Sequence, residues 1–210
     1  GMRFSYHTSR GFSMRMRRLR HRRGAAGFGG GWGIMGRECR MTVPSDPSGS
    51  TGLHVVLVEP EIPQNTGNIA RTCVAVGAAL HLVRPLGFCT GDRFLRRAGL
   101  EYWQQVELHE HDDLAQFLDR HGHEALALFS AHAERLYTAM PAAGPLFLLF
   151  GRESVGLPRE LRERFPDRLY RLPMRPGVRS LNLASAATVV IFEALRQRGF
   201  PGIVPGPAGS

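Results

Sequence analysis

The chain has 210 residues, 27 basic against 18 acidic, for a net charge of +9, and this length fits one ordinary domain plus a tail. Every basic residue is an arginine. Ten of them fall in residues 1–50 against Glu38 and Asp46, so that stretch carries +8 and the rest of the chain only +1, which excludes reading the body as a nucleic-acid-binding surface from its isoelectric point alone. No apolar run is long enough for a membrane span. Cys39, Cys73 and Cys89 are widely spaced with no C-x-x-C, which argues against a disulfide framework and a zinc site and favours a reducing cytoplasm.

Residues 1–50 read as a disordered Arg/Gly/Ser-rich tail, with GFGGGWG at Gly27–Gly33 and no sustained apolar period. Gly1 before Met2 reads as a cloning scar. A natural start at Met35 or Met41 is an alternative reading. A transit peptide is disfavoured because no clear amphipathic helix is present, and a basic arm adding non-specific RNA affinity is a further reading. The folded domain is expected over residues 51–210.

Leu53–Val58 (LHVVLV) reads as a short buried strand. A loop, EPEIPQ, leads to a helix over NTGNIARTCVAVGA, capped near Asn65 or Thr66 and ended by Gly77. Ile69, Cys73 and Val76 share its buried face. At ~100° per residue Arg71 lies roughly 200° from Ile69 and Cys73, so it points away from the core. Leu80–Val83 is the second strand, followed by a loop and short helix over LGFCTGDRFLRRAGLEYW. Gln105–Leu108 is the expected third strand. Asp112–His121 reads as an amphipathic helix with Leu114, Phe117 and Leu118 apolar. Ala125–Ser130 is the next strand, then a polar link, then the strand Pro145–Phe150, the loop GRESVGLP and a helix over Arg159–Phe165.

The last strand is expected over Arg168–Leu172. A rigid Pro173–Gly177 turn follows, since the prolines donate no ladder bond and Gly177 can take positive φ. Ser180 or Asn182 would cap the final helix. That helix is apolar almost all round up to Phe192 and is expected to be buried. Its small residues Ala184–Ala187 admit another backbone. Arg196 and Arg198, then Gly199 and Pro201, end it. Strands alternating with helices give an α/β class with a mainly parallel sheet flanked by helices. Ligands in such sheets bind beyond the carboxyl ends of the strands.

Three loops that leave strands carry unusual polar content: NTGNIAR (Asn65–Arg71), FGRESVGLP (Phe150–Pro158) and LPMRPGVRSLN (Leu172–Asn182). None matches a P-loop or a dinucleotide fingerprint, and nothing resembles G-x-S-x-G. No His/Cys/acid set has metal spacing, so no metal is expected, and His109 and His111 read as a polar strand end. Gly151 and Gly156 allow close backbone approach to a ligand. Glu153 could accept from a ligand or brace its loop, but a salt bridge to Arg152 or Arg159 is the more ordinary outcome. Arg71 is either a surface arginine or one projecting over a site at the end of the first strand. The arginine clusters available to RNA are Arg93, Arg96 and Arg97, then Arg152 to Arg179.

The segments VEPEIPQNTGNIARTC, RPLGFCTGDRFLRRAGLEY, FGRESVGLP and LPMRPGVRSLNLASA with VVIFEALRQRGFPG occur in this order over Leu53–Gly202. Together they resemble the signature of the SPOUT RNA methyltransferases, in particular the compact ribose 2′-O-methyltransferases of the TrmL (YibK-like) type. The resemblance implies a C-terminal trefoil knot, one of the rare exceptions to un-knotted topology, with S-adenosylmethionine bound bent in it. It implies cofactor-binding positions at Leu128, Gly151, Leu172 and Ser180, with Glu153, Met174 and Leu181 beside them. Arg71 matches the family's catalytic arginine, and Asn65, Asn68 and Asn182 match polar positions near the site. A cytoplasmic homodimer acting on the tRNA anticodon loop is implied. Its reaction would be methylation of the ribose 2′-hydroxyl at wobble position 34, on cytidine or modified uridine of leucine tRNAs. Phe192 stands where related enzymes often have Tyr, so one hydroxyl contact is missing. The tail has no counterpart in the compact enzymes. Two alternatives are a ribose methylase acting elsewhere in tRNA or rRNA and a non-catalytic RNA-binding module.

Overall fold

The β-branched run LHVVLV forms strand β1 (Leu53–Val58), and the rest of the sheet assembles on both sides of it. The computed structural model describes residues 51–89 and 103–203. The expectations for the tail, for Arg93, Arg96 and Arg97, and for most of the loop and short helix after the second strand lie outside the described residues.

The strands are β1, β2 (Ala79–Val83), β3 (Leu108–His111), β4 (Ala125–Phe129), β5 (Arg135–Leu136), β6 (Leu146–Phe150) and β7 (Leu169–Arg171). They form one sheet in the order β3-β2-β1-β6-β4-β7-β5, and every neighbouring pair is parallel. Among the described residues the α-helices are α1 (Pro63–Val76), α2 (Leu114–His121), α3 (Arg159–Arg164) and α4 (Leu183–Gln197).

A parallel sheet covered on both faces needs strands that are apolar on both faces, and LFLLF of β6 meets that need. Leu146, Leu148 and Phe150 point into a core with Ile69 and Cys73 of α1 and Ala187, Val190 and Ile191 of α4. Phe147 and Leu149 point the other way, into a core with Phe117 of α2 and Leu161 of α3. α1 and α4 lie together on their face, where Ala184 and Ala187 are buried and the Thr72 and Thr188 hydroxyls meet at 3.3 Å. Among the described residues no helix is long and apolar enough to cross a membrane.

Several expectations shift. α1 begins at Pro63, not at Asn65 or Thr66, and no side chain of its own first turn caps it. Proline at the first helical position has its φ preset and lacks only an N–H that would have no helical partner. Gly77 ends α1 in the left-handed region at φ 66. β3 lies three residues beyond the expected Gln105–Leu108, because what orders this edge strand is pairing with β2, Leu80 opposite Leu108 and His81 opposite His109, and LHEH carries no apolar period of its own. β5 was not anticipated: it is two exposed residues held only on β7. The expected burial of α4 all round is incorrect. Val189 and Phe192 are 41% and 46% exposed, because the sheet and α1 cover only part of the helix circumference.

On the α2 face a chain of imidazoles crosses the sheet. His54 Nδ1 lies 3.0 Å from His81 Nε2, and His81 Nδ1 lies 3.0 Å from His111 Nε2.

Candidate active site

The three polar loops all leave carboxyl ends of parallel strands. The first follows β1, the second follows β6 and the third follows β7. β6 pairs with β1 and with β4, and β4 pairs with β7, so Gly151, Leu128 and Leu172 lie at the ends of three adjacent strands. Leu128 is fully buried in the core facing α2 and α3. Leu172 and Met174 are half-buried, and Ser180 and Leu181 are exposed.

A line of hydrogen bonds ties the loops together. Glu153 Oε2 accepts from the Glu61 N–H at 2.8 Å, and Oε1 accepts from the Ile62 N–H at 3.3 Å and from Asn65 Nδ2 at 2.9 Å. Asn65 Oδ1 accepts from Asn182 Nδ2 at 2.9 Å. Asn182 Oδ1 accepts from the N–H groups of Ala184 at 2.9 Å and Ser185 at 3.3 Å, which caps α4. In return the Glu61 carboxylate accepts from Ser154, at 3.0 Å from its N–H and 2.8 Å from its Oγ. Glu153 thus places an anion at the N-terminus of α1, where orphan N–H groups and the helix dipole favour it.

The expected salt bridge of Glu153 to Arg152 or Arg159 is not formed. Arg152 pairs with Glu59, and Arg159 pairs with Glu163 one turn along α3 at 2.6 Å. Both Glu153 oxygens are engaged by α1 and the residues leading into it, so this residue acts first as a brace.

Gly151 is buried, and a Cβ built on it would lie 2.1 Å from the carbonyl carbon of Gly156 and 2.2 Å from the Leu157 nitrogen. Only glycine allows this approach. The Arg152 and Gly156 backbones exchange two hydrogen bonds, at 3.2 and 2.9 Å, closing a tight loop over residues 152–156. After β7 the Val178 N–H donates to the Arg175 carbonyl at 3.2 Å, with Gly177 at φ 86. This is the turn expected from Pro173–Gly177.

Asn65, Glu153 and Asn182 are therefore in direct contact, and Gly151, Leu128 and Leu172 are gathered at neighbouring strand ends. Asn68 and Arg71 lie on the exposed flank of α1, and Thr72 Oγ1 donates to the Asn68 carbonyl at 3.1 Å. Glu59 and Glu61 were missed as loop partners. Nothing local marks them, because their partners lie about 90 residues away. Replacing Asn182 with alanine removes both the α4 cap and the link to Asn65. The expected loss is about 1–2 kcal/mol, read as a lower urea midpoint with an unchanged slope.

The arrangement is chemically suited to a bent nucleoside cofactor. Gly151 lets the backbone of its own loop fold back tightly at the strand end, Leu172 and Met174 supply apolar surface, and strand-end backbone groups can donate and accept.

Residues 52–192 match the model of the SpoU rRNA Methylase family. The chain is 45% identical over 153 residues to a tRNA (cytidine(34)-2′-O)-methyltransferase of Burkholderia ambifaria, covering 71% of this chain and 97% of that one. It is 40% identical over 153 residues to the enzyme of the same name from Escherichia coli K12, covering 72% and 98%. A solved structure described as structural insights into the 2-OH methylation of C/U34 on tRNA superposes with a TM-score of 0.67 at 47% identity, covering 70% of this chain and 96% of that one. The SpoU methyltransferase AviRb of Streptomyces viridochromogenes, solved with AdoMet, superposes with a TM-score of 0.63 at 25% identity, covering 73% and 60%. With its three loops gathered at adjacent strand ends and its family signature spanning the sheet, the chain belongs to the SpoU methylase family.

Proposed function

We propose that this chain transfers the methyl group of S-adenosylmethionine to the ribose 2′-hydroxyl of the wobble nucleotide, position 34, of tRNA, on cytidine or modified uridine, with leucine tRNAs as substrates. The observation that carries this reading is the Glu153–Asn65–Asn182 line, which holds the three family loops together beyond β1, β6 and β7. Relatives covered over almost their whole length are named tRNA (cytidine(34)-2′-O)-methyltransferases.

The sulfonium supplies an already activated methyl group. The protein's contribution is position, and holding a reactive group in line with its acceptor contributes ~7–11 kcal/mol in well-oriented systems. Backbone groups at Gly151, Leu128 and Leu172 hold the cofactor, with Met174, Ser180 and Leu181 from the loop before α4. Arg71 orients the 2′-hydroxyl and the adjacent phosphate. The phosphate or a neighbouring group takes the proton.

The same reading includes a C-terminal trefoil knot. Its support is that β7 sits between β4 and β5, which are joined only by residues 130–134. It also includes a homodimer, supported by the uncovered apolar stripe of Val189 and Phe192 on α4 with Ile62, Val178 and Leu181 also exposed. The methyltransferase domain spans residues 51–210, and the enzyme works in the cytoplasm.

Tritium transfer from labelled S-adenosylmethionine to total tRNA tests the proposal, with the product mapped by nuclease digestion and mass spectrometry. A 2′-O-methyl group at position 34 is expected. A label at another nucleotide keeps the reaction and overturns the position, and absence of cofactor binding overturns both.

A further inference from the structure

On the face covered by α2, away from the three loops, histidines from four elements converge: His54 on β1, His81 on β2, His109 and His111 on β3, and His121 at the end of α2. His81 and His111 are each 2% exposed. Their rings stack at 5.3 Å between centroids, and the His121 ring stands edge-on to both at 5.5 and 5.6 Å. Phe117 and Phe147 wall the group.

Hydrogen bonding among the rings alone does not complete this cluster. A neutral imidazole has one N–H and one lone pair. The His54–His81–His111 chain accounts for both His81 nitrogens and one nitrogen of His111. His111 Nδ1 is buried without a partner. Whichever way the protons run along the chain, that atom is either a donor without an acceptor or an acceptor without a donor. Such a group in a closed interior calls for an explanation such as an unseen ion.

His81, His111 and His121 each offer one nitrogen within 4.8 Å of the other two. A tetrahedral zinc ion with bonds of about 2.0–2.1 Å sets its ligand nitrogens about 3.4 Å apart, so a modest contraction completes the site. His121 is the ligand with room to make it, as the last residue of α2 and only half-buried. We propose that His81, His111 and His121 form a binding site for an imidazole-preferring divalent cation, zinc in the first instance, that ties β2, β3 and α2 together. Burial holds His81 well below the usual histidine range and pushes His111 down to about 4, so both rings are neutral at neutral pH, and His81 ligates by giving up one of its two ring–ring hydrogen bonds. The ligands come from three elements, at separations of 30 and 10 residues in the sequence, which is why no spacing motif announced them.

The test uses the full chain without an affinity tag, stripped with a chelator and titrated with Co²⁺ and then Zn²⁺. The expected result is one equivalent of cobalt with the visible absorption of a four-coordinate ion, displaced by zinc, and a zinc-dependent rise in Tm. His121→Ala, checked for fold by circular dichroism, is expected to weaken binding at least tenfold and abolish the Tm rise. His123→Ala with His132→Ala, both exposed and outside the ring cluster, is expected to change neither. No saturable binding by the wild-type chain overturns the proposal. So does binding that survives His121→Ala, or that is lost in the His123/His132 double variant and not in His121→Ala.

Discussion

Replacing Arg71 with alanine is expected to lower methyl transfer at least about 100-fold, the scale seen when one charge-stabilising donor is removed from an active site. Affinity for S-adenosylmethionine should stay within about twofold. The reason is positional. Arg71 sits on the exposed flank of α1, whereas the proposed cofactor contacts come from the ends of β6, β4 and β7. An exposed substitution of this kind ordinarily changes stability by no more than about 0.5 kcal/mol, so a folded, cofactor-binding, inactive protein is the expected outcome. Arg71→Lys keeps the charge and loses the planar fork, and should recover only part of the rate. Single-turnover transfer to tRNA with calorimetry of cofactor binding separates the two effects. Equal loss of both would remove Arg71 from the chemistry.

Gly151→Ala is expected to be strongly damaging. The new carbon would meet the Gly156 carbonyl carbon at 2.1 Å and the Leu157 nitrogen at 2.2 Å. Both are backbone atoms, so no rotamer change relieves the clash. The loop over 152–156 would have to open and lose its paired hydrogen bonds. Overpacking costs about 1–3 kcal/mol in ordinary cores, and a backbone collision belongs at the upper end, about 3 kcal/mol. Cofactor affinity should fall at least tenfold with it. Gly156→Ala is the control. Nothing lies within 4 Å of its Cβ position, but φ is +75, so only the roughly 1–2 kcal/mol strain of a left-handed residue is expected. Urea midpoints for the two variants should differ accordingly, and equal midpoints would refute the steric argument.

The legible parts of this fold are those whose signal is local. LHVVLV and LFLLF are apolar on both faces and became the paired strands β1 and β6. Ile69, Cys73 and Val76 read correctly as the buried face of α1, and Gly77 and Asn182 sit at the helix ends expected of them. What could not be read locally depends on distant partners. β3 and β5 are edge strands whose extent is set by a neighbour, and LHEH has no period to mark it. The apolar circumference of α4 says nothing about which side the sheet will cover, so Val189 and Phe192 came out exposed. In the site, the family loops announced Asn65, Glu153 and Asn182. The partner of Glu153 was expected from its sequence neighbours Arg152 and Arg159, yet it is a helix start 88 to 92 residues away.

The exchange between Glu153 and Glu61, in which each carboxylate takes the N–H of a residue on the other's loop, has a thermodynamic corollary. The loop over 152–156 and the start of the helix that carries Arg71 are joined by these bonds, and in the proposed function the first would hold the cofactor and the second would face RNA. Any adjustment that one ligand imposes on its side is felt on the other as a change in free energy, and that coupling is reciprocal. The factor by which S-adenosylmethionine alters tRNA affinity must equal the factor by which tRNA alters S-adenosylmethionine affinity. Loosening the stitch with Glu61→Ala, which removes both bonds from Ser154, should bring both factors closer to one together.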